Sequence, residues 1–192
     1  MAVAGNSDGR VERSKAAVLA ETYRQLTLSG LGGVSVDEVA RNSGVAKTTI
    51  YRHWPSRSAL LIDACSRMGG PQPAPDTGSV RTDLLALATA VAEQLWTAAW
   101  PSVLPSIIDA AERDPDIADM FAQLHQGNMA PFREVVARGR ERGELRPDTV
   151  VDDVVTAVMA PLFYRRWFAK ERVDDAFVHA TVDHAIRSAQ QT

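Results

Sequence analysis

A single cysteine, Cys65, is the only thiol in the 192-residue sequence. It excludes an intramolecular disulfide and any multi-cysteine metal site. Its neighbours Leu61, Ala64 and Met68 mark it as a small buried hydrophobe, which suits a reducing compartment. No apolar run approaches the ~18 residues of a membrane-spanning helix. The opening MAVAGNSDGR lacks the apolar stretch of a signal peptide, and residues 1–9 read as a disordered tail. Strand-length alternation of β-branched residues is missing, and so is any internal repeat. The chemistry of catalysis is scarce as well. GNSDG and SGLGG have no strand–turn–helix setting for a phosphate loop. The four histidines, His53, His125, His179 and His184, show neither HxxxH nor HExxH spacing. His179 and Asp183 stand four apart and are placed to meet on a helix surface. Paired acids such as those in ERDPD look like helix N-terminal acids that complement the dipole. No enzyme activity, cofactor or metal site is expected.

Net charge is small, −3, but uneven. Up to Met68 the chain has nine Lys/Arg against six Asp/Glu; beyond it, twelve against eighteen. A mildly basic front on an acidic body suits local contact with phosphates.

What is present almost everywhere is helical spacing, so the fold class is all-α. Ala16, Leu19, Ala20, Tyr23 and Leu26 follow the pattern of a first helix that ends near Gly30. In SVDE, Ser35 and Glu38 form a capping box for a short second helix that turns Val36, Val39 and Ala40 inward. It stops at NSGV, where Gly44 supplies a left-handed turn. The third helix is VAKTTIYRHW, residues 45–54. At ~100° per residue, Ala46, Ile50 and Trp54 fall on one arc, and Lys47, Thr48, Tyr51 and Arg52 on the other. Pro55 ends it, and Ser56 caps a fourth helix with Leu60, Leu61, Ala64 and Met68 inward. GGPQPAPDTGS then has three glycines and three prolines in eleven residues, and no helix crosses it. Five further helices are expected near 79–99, 102–112, 116–142, 149–169 and 174–189. Gly127 and Pro131 predict a kink or break in the third of these. The domains are therefore a 1–9 tail, a 10–68 unit of short helices with its connecting helix, a 69–78 linker and a 79–192 helical body.

Two short helices joined by a glycine turn make a helix-turn-helix, whose second helix enters the major groove of DNA. The polar arc then has a purpose. Lys47 and Arg52 can reach guanine O6/N7 or phosphate, and Thr48 a thymine methyl or phosphate. Thr49 and Tyr51 offer hydroxyls to the backbone. Arg57, disfavoured at a helix start by the dipole, is better understood with a phosphate opposite. Taken alone, Lys47 or Arg52 reads as part of a solvated face and Tyr51 as packing; the joint occurrence of box, turn, arc and proline stop within ~25 residues favours DNA.

SVDEVARNSGVAKTTIYRHWPSRSALL resembles the DNA-binding segment of the tetracycline-repressor (TetR) family of one-component regulators, over roughly residues 12–68. Trp54 stands where that family usually has Phe, and Arg57 where it usually has Lys. The resemblance implies that Thr49, Tyr51, His53 and Arg57 hold the phosphate backbone. Lys47, Thr48, Arg52 and the exposed face of the second helix, with Ser35, Val36 and Asp37, influence sequence choice. His53 has packing as its alternative. The resemblance further implies a helical C-terminal ligand-binding and dimerisation domain, so that a homodimer binds a palindromic double-stranded operator. A small effector changes the separation of the two DNA-binding heads through the fourth helix, and operator affinity falls. Such a regulator, most often a repressor, works in the cytoplasm, nucleoid-associated when bound to DNA, with no membrane partner.

Two wide stripes close the chain: Val151, Val154, Val155, Val158, Leu162 and Phe163, then Phe177, Val178, Thr181, Val182, Ala185, Ile186 and Ala189. Val151, Val154, Val155, Val158, Leu162, Val178, Val182 and Ile186 are assigned to the dimer interface, in an isologous four-helix bundle; the alternative is internal core. Trp96, Trp100, Phe121, Leu124, His125 and Met129 flank the expected break and are assigned to a largely apolar effector pocket with His125 as a polar anchor. Ordinary core is the alternative for each. Competing function classes are an enzyme on a helical scaffold, which a catalytic constellation would favour, and a helical protein-binding module, which absent operator binding would favour.

Overall fold

The computed structural model describes residues 5–66 and 73–190. Their regular structure is helical: α1 (Gly5–Ser29), α2 (Val36–Ser43), α3 (Lys47–His53), α4 (Arg57–Ser66), α5 (Val80–Thr97), α6 (Trp100–Ala111), α7 (Pro115–Glu141), α8 (Val151–Tyr164) and α9 (Asp175–Gln190). A 3-10 turn, Leu31–Gly33, precedes α2, and one π-helical turn, Arg165–Ala169, extends α8. No strand occurs among the described residues. Met68, expected inward on α4, lies outside them.

The chain forms two compact units, Met1–Gly70 with Ala99–Leu124, and Pro71–Ala98 with His125–Thr192. Helix α6 and the start of α7 join the first unit because Val103, Ile107, Ile117 and Met120 fill the same core as Leu26, Ile50, Leu60 and Cys65. Apolar spacing marks which face of a helix is buried, not which core receives it.

In the first unit, α1 begins earlier than the expected tail allows. Residues 5–9 are helical, since extending an existing helix costs little once its core-facing turns are fixed. Its buried stripe is also offset. Val18, Leu19, Thr22, Gln25 and Leu26 are buried, whereas Ala16 and Ala20 are exposed. The two polar members are satisfied. Thr22 Oγ1 donates to the Val18 carbonyl at 2.8 Å, and Gln25 Oε1 accepts from the Ser35 amide at 3.0 Å. Glu21 accepts from Arg24, Gln25 and Asn42, joining α1 to α2. These bonds, from Arg24 above all, hold its carboxyl down at about 2, against the upward pull of burial. Gly30, at φ 65°, ends α1, and the next amide, that of Leu31, donates to Ser106 Oγ at 3.2 Å.

The second unit holds α5, the remainder of α7, α8 and α9. Helix α9 packs on both α5 and α8, and Arg81 pairs with Asp183 at 2.7 Å. Asp183 therefore has an arginine as its main partner, and His179 adds a weaker electrostatic contribution to it. The residues before α5 are fastened to the unit. Asp83, fully buried, accepts from the Thr77 amide and hydroxyl at 3.0 and 2.8 Å, and Arg138 donates to the Pro75 carbonyl. A Cβ on Gly139 would lie 2.8 Å from Val80 Cβ, so α7 and α5 touch there through a glycine.

Helix α7 is continuous through Pro131, so of the expected kink or break the break does not occur. Proline removes the donor that the carbonyl four residues earlier would use, and that carbonyl belongs to Gly127. Gly127 is exposed, so water can serve it, and Arg133 donates to the neighbouring Gln126 carbonyl at 3.3 Å.

Candidate nucleic-acid interface

Helix α2 starts as its sequence dictates. Ser35 is extended and its hydroxyl accepts from the Glu38 amide at 3.4 Å. Only half of the expected capping box forms. Glu38 turns to Arg41, and the Ser35 amide is met by Gln25 instead. Gly44, at φ 69°, closes α2 in the left-handed conformation. Helix α3 follows, seven residues long, with Ile50 and then Trp54 buried beneath it at 1% and 6% exposure. Trp54 Nε1 donates to Asp63 at 2.9 Å, tying the end of α3 to α4.

With that side fixed, Lys47, Thr48, Tyr51 and Arg52 are all exposed. Thr49 and His53 are half-buried, and His53 packs edge-on against Trp54, ring centres 5.9 Å apart. Ala46, expected inward, is exposed because it is the N-cap residue rather than a helical one. Lys47 Nζ lies 2.7 Å from Asp37 of α2 and 5.9 Å from the Tyr51 ring centre. The exposed face of α2 and the polar arc of α3 thus meet through an ion pair. Hydrogen bonding to Asp37 raises the Lys47 pKa, favouring the ammonium form.

Two residues assigned to this face are tied into the fold itself. Val36 is 7% exposed; it is a core residue at the start of α2, not a DNA-facing one. Arg57 donates to the carbonyls of Val34, at 3.1 Å, and Leu31. These two bonds hold the cation at the head of α4 and brace the turn that leads into α2. The buried Gln25 behind the Ser35 amide was missed because a lone glutamine on a helix gives no periodic signal.

The residues assigned to a dimer interface are placed differently from expectation. Val154, Val155, Val158, Leu162, Val178, Val182 and Ile186 are between 0% and 7% exposed within one chain, and Val151 is half-buried. They form the second unit's own core, because α8 and α9 pack on each other and α9 also on α5. The outward faces carry small residues, Ala157 and Ala160 on α8 and Ala176 and Ala180 on α9, among polar ones such as Thr156, His179 and His184. Beyond Ala160 come Tyr164 and Phe168, 61% and 77% exposed and stacked 5.6 Å apart.

Of the six residues assigned to an effector pocket, Trp100, Phe121 and Leu124 belong to the first unit, and Trp96, His125 and Met129 to the second. Phe121 and Leu124 pack on the first unit's core. Met129 is buried, and Trp96 carries the Arg166 guanidinium 4.9 Å from its ring centre. An open apolar concavity of about 770 Å³ in the second unit is lined by none of the six; Pro161, Phe163 and Phe177 contribute to it. Among the described residues no cluster of three metal-ligating side chains exists, and no helix is long and apolar enough to cross a membrane.

Residues 18–64 match the bacterial regulatory proteins of the tetR family, and residues 74–185 the tetracyclin repressor-like C-terminal domain. Over 185 residues the chain is 29% identical to the HTH-type transcriptional regulator YdeS of Bacillus subtilis (strain 168), covering 95% of this chain and 93% of that one. It is 30% identical over 184 residues to the DNA-binding transcriptional repressor TetR of Mycobacteroides abscessus, covering 92% and 94%. Among solved structures, the TetR family transcription regulator SCO0332 is 34% identical, with a TM-score of 0.73 over 93% of this chain and 99% of that one. The flavonoid-responsive regulator FrrA shares the fold at a TM-score of 0.74 and 16% identity, over 92% and 95%.

Proposed function

The chain belongs to the tetracycline-repressor family of DNA-binding transcriptional regulators, and on that premise we propose that it is a homodimeric repressor released from a palindromic operator by a small, largely apolar effector. Its relatives are regulators, not enzymes, and family members bind operators as dimers. The observation that carries the reading is the exposed arc of Lys47, Thr48, Tyr51 and Arg52 on a helix whose other side is locked by Ile50 and Trp54. A rigid short helix with donors on its open side is what the major groove requires. Two such helices in a dimer meet half-sites about one DNA turn, ~34–36 Å, apart. Thr49 and Tyr51 hold phosphates, with His53 at the edge; Lys47, Thr48 and Arg52 select bases. Ser35 and Asp37, at the α2 start, border the same face. The protein works in the cytoplasm, on the nucleoid when DNA-bound.

The partner surface in this proposal is the outward side of α8 and α9. Small side chains let helices approach closely, and the exposed Tyr164 and Phe168 extend the α8 face with apolar area. The effector acts on the C-terminal part by binding the released state more tightly. Taking operator occupancy from 99% to 1% needs ~5.5 kcal/mol of differential binding.

The test is operator selection from a randomised duplex pool, followed by anisotropy titrations. Lys47→Ala and Arg52→Ala should each relax preference at a contacted base pair by ~1–3 kcal/mol. If both variants select the parental site with unchanged discrimination, the arc is not the reading surface. Titrating hydrophobic molecules while following tryptophan emission and operator release together tests the effector.

A further inference from the structure

Among the described residues of α2 and α3, Asp37 is the acid that an ion pair joins to the reading helix. Its presence there asks for an explanation. An anion on a surface that meets phosphates lowers affinity for every duplex alike. The dipole of α2 does not require it, because Glu38 also stands in the first turn. Nor is Asp37 needed as a cap, since Ser35 already accepts from the Glu38 amide. Its side chain is 74% exposed, and among the described residues Lys47 holds it, with Nζ 2.7 Å from Oδ1. Lys47 in turn leans back over the Tyr51 ring. The most flexible cation of the arc is therefore gathered in at the α2–α3 junction, between a carboxylate and a ring.

We propose that Asp37 is a specificity-determining residue that acts through Lys47, withholding this ammonium from indiscriminate phosphate contact and aiming it at a base edge. The proposal rests on the DNA-binding reading above. On a scrambled duplex, a free lysine would swing to the nearest phosphate and displace a counterion. Held by Asp37, it contributes no such contact. On the operator, a guanine O6/N7 pair accepts from Lys47 in the position where Asp37 keeps it, and the second carboxylate oxygen remains available to a cytosine amino group. Asp37 thus lowers non-specific affinity more than operator affinity, and the difference is discrimination.

The strength expected of the pair is that of an exposed ion pair, so its effect is small and best read as a slope. Anisotropy titrations of the full chain against salt, on a scrambled duplex and on the operator selected by the parent, are compared for the parent, Asp37→Asn, Lys47→Met and the double variant. Asp37→Asn should tighten scrambled-duplex binding roughly 2- to 5-fold and steepen its logarithmic salt slope by about 0.9, one phosphate's worth. Operator affinity should rise less, so the ratio of the two falls. In the Lys47→Met background the same substitution should leave the slope unchanged. If Asp37→Asn changes nothing, or tightens binding equally with Lys47 absent, Asp37 acts as a diffuse repulsive charge or not at all, and the proposal is overturned. A parent that binds neither duplex overturns the DNA-binding reading beneath it, a result separate from these.

Discussion

Glu21 accepts hydrogen bonds from three side chains on two helices, so its ionised form belongs to the folded state. Its carboxyl is held near 2 rather than the ordinary 4.5. A depressed folded-state pKa contributes stability that is fully present above the unfolded value and lost as pH falls through the folded one. The acid limb of the first unit should therefore weaken between about 4.5 and 2. Glu21→Gln should lower stability at neutral pH by about 1 kcal/mol and flatten that limb. Denaturant melts at pH 7 and pH 3, with and without the substitution, measure both; equal losses at the two pH values would contradict the assignment. At this scale the sequence was readable in part. The arc of Lys47, Thr48, Tyr51 and Arg52 follows directly from helical spacing. The Glu21 cluster and the Arg57 bonds to Leu31 and Val34 do not, because they join residues brought together only by tertiary packing.

At the scale of helices, glycine separates two situations that look alike in a sequence. Gly127 and Gly139 both lie within α7. An added methyl at 127 meets open space, and at 139 it meets Val80 at 2.8 Å. Gly127→Ala should stabilise α7 by about 1 kcal/mol through helix propensity alone. Gly139→Ala should cost ~1–3 kcal/mol through overpacking. Calorimetry of the two variants tests the pair, and a shift of the same sign in both would refute the packing described. Helix boundaries were legible to within a few residues, since caps and prolines are local signals: Ser35, Gly44 and Ser79 all stand where helices begin or end. The expected break at Pro131 was not, because its cost depends on whether water reaches the Gly127 carbonyl, which spacing does not reveal.

For the whole molecule, adjacent residues of α8 give opposite expectations. Val158 is fully buried in one chain, and Ala157 is exposed. Val158→Asp places an unpaired charge in the second unit's core and should unfold it, a loss of several kcal/mol. Ala157→Glu should leave the fold intact but drive the dimer to monomers that hold operator DNA poorly, since one half-site supplies only part of the contact energy. Sedimentation with circular dichroism distinguishes the two, and a folded dimer carrying Ala157→Glu would move the interface elsewhere. The sequence identified α8 and α9 as strongly apolar but assigned that apolarity to the partner. A stripe wide enough for two neighbours does not say which neighbour is internal, and here α5 and α9 already fill it.

Cys65 sits in the first unit's core at 1% exposure, and burial pushes its thiol up to about 11. Native protein at neutral pH therefore offers an alkylating reagent neither access nor thiolate. Because the chain has no other cysteine, every labelling event dates an opening of that one core, with no engineered probe and no background from the second unit. The molecule carries its own clock for excursions of the DNA-binding head. Adding operator should slow that clock in proportion to bound fraction, since a ligand of the closed state depletes the open one. Prompt stoichiometric labelling in native buffer would show that the core around Cys65 is not closed at all.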